Sequence, residues 1–244
     1  FLLVFLRQPV SLVWVFLAWV LSKLVSVGLL LPLTKRLIAV RFSFDKKLFI
    51  KIVKESLPMG ALLILFSAYD RAVDTFMIRY FLGSTQVAFY GLSYKVYGHL
   101  VLPAYFLVNS LFPFLSKGKK GTGKIGLGLM GLGLVFLLPL VMTLAPLVIG
   151  ILAGSSFSAS VLVLRILALA LVFSWLNHLT GFSLVAKNKQ MVSLKIGALA
   201  MGFNLVLNYL LIPRFGIVSA AWVTVATEAL VFGLSSLALT VFKD

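Results

Sequence analysis

The chain contains no cysteine and only six acidic residues among 244. Without cysteine, disulfide bonds and thiolate metal sites are excluded. Histidine is scarce too, with two in the whole chain, and no second histidine lies near His178 in the sequence. We therefore expect neither a metal site nor a cofactor.

Extended polar stretches are also scarce, because 61% of the residues are hydrophobic and the mean hydropathy is +1.13. Seven apolar runs of roughly 22–30 residues each exceed the length that a helix needs to cross ~30 Å of hydrocarbon. Such runs are too long for strands, and in lipid the backbone must satisfy its own polar groups. The sequence therefore predicts an all-α, polytopic membrane protein with about seven transmembrane helices, at residues 9–33, 56–81, 87–113, 125–153, 160–186, 190–212 and 217–241.

Positive charge dominates, with 22 Lys and Arg giving a net charge of +16. In a soluble protein this excess would suggest nucleic acid. Here most basic residues follow every second apolar run: Lys35, Arg36, Arg41, Lys46, Lys47, Lys51, Lys54, Lys117, Lys119, Lys120, Lys124, Lys187, Lys189, Lys195 and Lys243. The opposite gaps hold Arg7 and Arg214, with Arg79 near an edge. Under the positive-inside rule the lysine-rich side is cytoplasmic, so we expect the lipid bilayer, and not nucleic acid, as a partner.

One connection is long enough to form structure of its own, at residues 34–55. Apolar and basic residues alternate there at helical spacing, which predicts an amphipathic basic helix on the anionic cytoplasmic leaflet. Ser56-Leu57-Pro58 is expected to redirect the chain into the membrane, because proline disfavours helix in the residue before it. The lysine-rich stretch 117–124 lacks the spacing of a phosphate-binding loop and is interpreted as a flexible, positively charged connection.

Several local motifs then resemble one transporter superfamily. They are Asp74-Thr-Phe-Met-Ile-Arg-Tyr-Phe-Leu-Gly83 with Val87-Ala-Phe-Tyr90, Leu111-Phe-Pro-Phe-Leu-Ser116, and the hairpin from Asn204 through Asn208, Pro213 and Gly216 to Ala221, followed by Glu228. Together they resemble the carboxyl-terminal half of the multidrug/oligosaccharidyl-lipid/polysaccharide (MOP) flippases, in the polysaccharide-biosynthesis, or Wzx-type, branch.

This resemblance implies two six-helix lobes that face each other across a central cavity. The chain would supply the last helix of the first lobe (residues 1–33), a cytoplasmic linker (34–55) and the six-helix second lobe (56–244). We expect it to be an amino-terminally truncated piece whose partners include the missing amino-terminal lobe. The resemblance also implies a multi-pass protein of the inner (plasma) membrane that is not an enzyme and flips a polyprenyl-pyrophosphate glycan.

Ionisable side chains at membrane depth are candidates for function, since each costs about 2.5–3.5 kcal/mol to insert. Asp70, Arg71 and Asp74 lie within one turn of a helix, and Arg71 and Asp74 are neighbours that could simply neutralise each other. Basic residues outnumber acidic ones, which favours an anion such as pyrophosphate. The candidate binding residues are Arg71 and Lys95, with Arg165 and Lys23 as lesser candidates that could instead extend toward lipid headgroups.

Further polar residues in the apolar runs could bind a ligand or connect neighbouring helices. Tyr90, Tyr94 and Tyr97 share a helix face and could contact sugars or pack against other helices. Asn204 and Asn208 are expected to hydrogen-bond a neighbouring helix, and His178 is expected to be a satisfied packing residue. Glu228 has no cation near it in its own helix, so it is expected to be protonated or paired across helices, and we expect it to couple transport to protons.

Three alternatives to a lipid-linked oligosaccharide flippase remain open. A multidrug cation extruder of the same superfamily would have to admit cations past Arg71, Lys95 and the other intramembrane bases. A membrane glycosyl ligase or polymerase would need acid and base residues on outer loops, but the gaps at 83–86, 154–160 and 213–216 hold no carboxylate or histidine. A scaffold that transports nothing would fit a chain with no second lobe.

Overall fold

The computed structural model describes residues 12–37, 44–68 and 73–241, and within them every regular element is helical. In chain order the helices are α1 (Leu12–Leu37), α2 (Lys46–Ala68), α3 (Asp74–Leu82), α4 (Ser84–Ser116), α5 (Thr122–Ala153), a short 3₁₀ turn (Ser155–Phe157), α6 (Ala159–Ala186), α7 (Gln190–Phe215) and α8 (Ile217–Val241). No strand occurs in that part of the chain. The all-α prediction is confirmed.

Five of these helices, α4 to α8, are long and apolar enough to cross a membrane. They correspond to the last five predicted spans. A shorter apolar stretch, Phe16–Pro32, lies inside α1, where the first span was predicted. The chain is therefore a polytopic membrane protein, as the hydropathy pattern predicted.

The region of the second predicted span differs from expectation. Helix α2 runs without a break from Lys46 to Ala68, so the chain stays helical through Ser56-Leu57-Pro58, where the sequence predicted an interruption; its entry into the membrane there stays a prediction. Proline is tolerated in membrane helices when other groups satisfy the backbone that it frees. The start of α2 is nevertheless clear, because Asp45 Oδ1 accepts hydrogen bonds from the backbone N–H groups of Lys47 and Leu48 at 2.8 and 3.2 Å, which is an N-cap.

The chain divides into two compact units, residues 1–51 and 52–244. In the second unit α6 is the central helix, and it packs against α4, α5, α7 and α8. Twelve of its 28 residues are buried, which fits a helix that is apolar on all sides. Its buried side chains include Val163, Leu167 and Leu171, each fully enclosed.

Two glycine turns position the polar residues described below. Gly83 (φ +86°) separates α3 from α4, and Gly216 (φ +69°) separates α7 from α8. Both backbone conformations are strained for residues with a Cβ atom. The first turn brings the start of α3 beside Tyr90 of α4, and the second makes α7 and α8 neighbours.

Candidate functional site

Asp74, the first residue of α3, lies at a junction of four helices. Its side chain is 9% exposed. The Tyr90 hydroxyl on α4 donates to Asp74 Oδ2 at 2.5 Å, and Asn208 Nδ2 on α7 donates to Asp74 Oδ1 at 2.7 Å. Thr224 Oγ1 on α8 lies 3.4 Å from Oδ2. Because a buried carboxylate is costly unless donors surround it, these contacts explain how Asp74 is accommodated. We call Asp74, Tyr90, Asn204, Asn208 and Thr224 the Asp74 cluster.

The asparagine pair on α7 completes the Asp74 cluster. Asn204 and Asn208 are both buried, and Asn208 Nδ2 also donates to Asn204 Oδ1 at 2.9 Å. The expectation that these asparagines hydrogen-bond a neighbouring helix is confirmed by the Asn208 contact to Asp74. Asn208 Oδ1 is buried and accepts no hydrogen bond from the residues that the structure describes. The cluster thus contains a carboxylate and an unused amide oxygen, groups that can accept a proton or an electropositive ligand.

A row of tyrosines extends from the Asp74 cluster along α4. The Tyr90 and Tyr94 rings stack with centroids 5.7 Å apart, and Tyr94 lies 5.5 Å from Tyr97. Tyr90 and Tyr97 are buried and Tyr94 is half-buried. The Tyr97 hydroxyl hydrogen-bonds Ser174 on α6. The predicted tyrosine stripe is therefore real, and the Tyr90 and Tyr97 hydroxyls hydrogen-bond residues of other helices. Contact with a sugar stays a prediction.

A second contact between helices, made by half-buried side chains, involves Glu228 on α8. Asn177 Nδ2 on α6 donates to Glu228 Oε2 at 2.6 Å and to the Glu228 backbone carbonyl at 2.9 Å. Glu228 is thus held across helices by an amide, which agrees with the expectation of a partner on another helix. The next residue, His178, donates from Nδ1 to the Ser174 carbonyl at 2.8 Å, so its assignment as a satisfied packing residue is confirmed.

Lys95 and Arg165, two of the predicted basic residues, belong to neither of the two hydrogen-bonded groups described above. Lys95 on α4 and Arg165 on α6 are both exposed. Lys23, in the first unit, is exposed and its Nζ lies 5.9 Å from the centre of the Trp19 ring, a cation–π distance. Asp70 and Arg71 lie outside the described residues. The role of these four cations in binding substrate stays a prediction.

Arg165 also has a structural contact. Its Nε donates to the Met142 carbonyl on α5 at 3.0 Å. Four residues after Met142 stands Pro146, which has no N–H to give that carbonyl its usual helical hydrogen bond. Arg165 therefore satisfies a backbone group that the proline leaves free, which matters inside a membrane.

Thr224, Ser174 and Asn177 were not singled out by the sequence analysis. A signal for Thr224 was present, because it precedes Glu228 by four residues and shares its helix face. The side-chain partners of Ser174 and Asn177 are Tyr97 and Glu228, which lie on other helices, so no spacing within α6 predicted these contacts.

Comparison with known proteins agrees with the motif analysis. Residues 1–119, slightly under half of the chain, match a family described as polysaccharide biosynthesis protein. An uncharacterized membrane protein of Methanocaldococcus jannaschii is 30% identical over 240 residues, covering 88% of this chain and 47% of that protein. The chain thus spans about half the length of the curated relative it matches. No solved structure matches it. The resemblance to the polysaccharide-biosynthesis branch is confirmed.

Proposed function

We propose that this chain, a relative of the polysaccharide biosynthesis proteins, forms the carboxyl-terminal lobe of a flippase. Its cargo would be a lipid-linked oligosaccharide, a polyprenyl-pyrophosphate glycan, carried across the inner (plasma) membrane for cell-surface polysaccharide biosynthesis. Transport would proceed by alternating access, in which this lobe and an amino-terminal lobe rock around a site near the middle of the membrane. The observation that carries the proposal is the Asp74 cluster, a costly buried carboxylate placed where four helices meet.

The chemistry of the Asp74 cluster suits a coupling role. A charged Asp74 accepts hydrogen bonds from Tyr90 on α4 and from Asn208 on α7. A bound proton would turn one carboxylate oxygen into a donor and remove the charge, so the hydrogen bonds that Asp74 accepts would weaken. The contacts between helices would then differ between the two charge states. A difference of this kind is what allows a bound ion to shift a conformational equilibrium.

Of the two carboxyl groups, we propose Glu228 as the one that binds the coupling proton. Its hydrogen bond from Asn177 connects α6, the central helix, to α8. Protonation of Glu228 would weaken this charge-assisted hydrogen bond. Asp74 would then chiefly organise the neighbouring helices and the basic residue Arg71, which precedes it by three positions.

Recognition of the pyrophosphate is assigned to the basic residues. Lys95 follows Tyr94 directly and is exposed, so its ammonium group is available to an anion from outside the bundle. The Arg165 Nε donates a hydrogen bond to the Met142 carbonyl. The other N–H groups of its exposed guanidinium can donate to a phosphate oxygen. Arg71 and Lys23 complete the proposed set, and Tyr94 is the tyrosine best exposed for sugar contact.

The first experiment tests transport itself. The chain is reconstituted in liposomes alone, and in parallel with a separately produced amino-terminal lobe, while the crossing of a fluorescent lipid-linked glycan is followed. We expect crossing only when both lobes are present, because one lobe supplies one wall of the cavity. Robust flipping by the chain alone would contradict this, and movement of a lipophilic cation in place of the glycan would favour the multidrug alternative.

The second experiment separates the two carboxyl groups within the two-lobe protein. Glu228→Gln imitates the protonated form with little change in volume, so transport should lose its pH dependence while glycan binding survives. Asp74→Asn should lower transport at every pH, because an amide cannot accept from Tyr90 and Asn208 as a carboxylate does. If Glu228→Gln keeps the unmodified pH profile, Glu228 is structural and coupling belongs to another group.

A further inference from the structure

Helix α7 carries a polar seam on its buried side. Its members, counted from the end that the positive-inside rule assigns to the cytoplasm, are Gln190, Ser193, Gly197, Ala200, Asn204 and Asn208. At about 3.6 residues per turn and ~1.5 Å per residue, they lie within about a third of the helix circumference and extend over ~27 Å. The α7 seam, as we call these residues, therefore runs from the cytoplasmic end of the helix to the Asp74 cluster.

Three side chains of the α7 seam have a buried polar atom that makes no hydrogen bond with the described residues. They are Gln190 Oε1, Ser193 Oγ and Asn208 Oδ1. In the part of the chain that the structure describes, the other atom of this kind is Asn177 Oδ1, on the amide that binds Glu228. Ser193 is 8% exposed and Asn208 is fully buried. Because buried polar atoms normally have partners and are costly without them, their concentration on one side of α7 needs a physical explanation.

The two halves of α7 are held in different ways. In the outer half, Asn208 donates to Asp74 at 2.7 Å, and the Gly216 turn joins α7 to α8. In the cytoplasmic half, residues 190–203, no side chain hydrogen-bonds another helix among the described residues. The middle of the seam there is formed by the small, buried residues Gly197 and Ala200. Side-chain hydrogen bonds therefore reinforce the packing of α7 on its neighbours at the outer end and not along the described cytoplasmic half.

Helix α8, which packs against α7, also has polar residues on a buried side. Thr224, Thr227 and Ser235 are all buried, and their spacing places them on one side of the helix. Thr224 belongs to the Asp74 cluster, and Ser235 lies about three turns nearer to the cytoplasmic end. Polar interfaces take up water when they separate, whereas apolar cavities stay dry. The polar character of α7 and α8 therefore favours hydration wherever the two helices part.

We propose that the cytoplasmic half of the α7 seam opens into a water-filled route between the cytoplasm and the Asp74 cluster. In the helix arrangement of the structure this route is closed, since Ser193 is 8% exposed and Ala200 is 1% exposed. Opening supplies Ser193 and the other polar atoms of the seam with water as a hydrogen-bond partner, which offsets part of the lost packing. The hydrogen bond between Asn208 and Asp74 holds the far end, so the opening stops at the Asp74 cluster.

This route rests on the proposed coupling role of the lobe and names the side from which the proton arrives. Thr224 of the Asp74 cluster and Glu228, the proposed proton-binding group, are four residues apart on α8, so they lie about one turn apart on the same side of the helix. Water molecules that hydrogen-bond Ser193 and Asn208 would pass protons from one to the next. The coupling proton would then reach the lobe without the movement of a charged side chain.

The test measures which thiols on α7 meet water. The chain contains no cysteine, so Ser193→Cys and Ala200→Cys each carry a single thiol on the seam. Leu199→Cys is the matched control, at the same depth but 57% exposed on the opposite side of α7, and Ala170→Cys is a fully buried control in α6. Inverted membrane vesicles are treated with sulfonatoethyl methanethiosulfonate, an impermeant reagent that needs a thiolate and hence water. We expect both seam thiols to react about tenfold faster than either control.

A second substitution tests whether the reagent passes along the seam. Gly197→Val narrows the seam between Ser193 and Ala200, so it should slow the labelling of Ala200→Cys about tenfold. Labelling of Ser193→Cys, on the cytoplasmic side of the block, should be unchanged, which also shows that the lobe is still folded. The matched control is Gly202→Val, because Gly202 is exposed and a Cβ atom there would meet nothing within 4 Å. It should leave both labelling rates as they were.

Three outcomes would overturn the water route. They are equal rates at Ala200→Cys and Leu199→Cys, labelling of the seam from the outer side in right-side-out vesicles, and labelling of Ala200→Cys that Gly197→Val does not slow. None of these measurements involves transport, so a failure of glycan flipping leaves them unchanged. Slow labelling of the seam in a lobe that supports flipping would refute the water route and leave the proposed function standing.

Discussion

The hydrogen bond between Tyr90 and Asp74 permits a quantitative test of the Asp74 cluster. Tyr90→Phe removes one hydroxyl from a side chain that is 1% exposed, and it leaves the ring and its stacking on Tyr94 in place. The change therefore removes only the hydroxyl, with its contacts to Asp74 and to Thr224 Oγ1, the latter at 3.3 Å. Asp74 would retain the hydrogen bond from Asn208 at 2.7 Å and would lose its contact at 2.5 Å.

Two ranges of hydrogen-bond energy, one for soluble and one for membrane proteins, set the expected loss of stability. Hydrogen bonds to charged groups contribute about 1.5–3 kcal/mol in soluble proteins. In a membrane protein, pairs of polar residues on different helices average about 0.6 and reach about 1.7 kcal/mol, since the unfolded chain in the membrane also finds partners. Asp74 is buried in the bundle and keeps other donors. We therefore expect Tyr90→Phe to lower the free energy of unfolding by about 1–1.5 kcal/mol.

The assay is a double-mutant cycle on the purified chain. Unfolding in a denaturing detergent is measured for the original chain, Tyr90→Phe, Asp74→Asn and the double variant. The two changes should be coupled by about 1 kcal/mol, because Asp74→Asn removes the negative charge that strengthens the hydrogen bond from Tyr90. Tyr209→Phe, on an exposed tyrosine of α7, is the matched control and should change little. Additive effects of Tyr90→Phe and Asp74→Asn would refute the assignment of this hydrogen bond.

Two further predictions concern the packing of α6. A Cβ atom at Gly133 would lie 2.7 Å from the Trp175 ring, so Gly133→Ala should destabilise the chain by about 1–3 kcal/mol in the same unfolding assay. Gly131→Ala, where nothing lies within 4 Å, is its control, and equal effects of the two changes would contradict the close packing. Arg165→Ala should cost less stability in a chain that already carries Pro146→Ala, because alanine supplies the N–H that the nearby carbonyl lacks; equal costs in both backgrounds would mean that the proline is irrelevant to Arg165.

The helices and their membrane character follow from the order of apolar and polar residues along the chain. Runs of more than about 20 apolar residues have one stable form in hydrocarbon, so the spans at 87–113 and beyond were predictable from composition alone. The asparagines at 204 and 208 were predictable as helix–helix contacts for the same reason. Polar groups in lipid need partners, and two residues four apart face the same way. The course of the chain through Pro58 was not predictable, because a proline in a membrane helix bends, breaks or is tolerated according to its surroundings.

Which side chains become partners depends on how the helices pack against one another. Tyr90 is 16 residues from Asp74, and Thr224 is 150 residues away, so no local spacing could connect them. Asn177 meets Glu228 because α6 and α8 pack side by side, and Arg165 meets Met142 because α5 lies against α6. Periodicity fixes the face on which a side chain lies, whereas the choice of neighbour depends on how whole helices fit together, and that is settled by side-chain shape along their entire length.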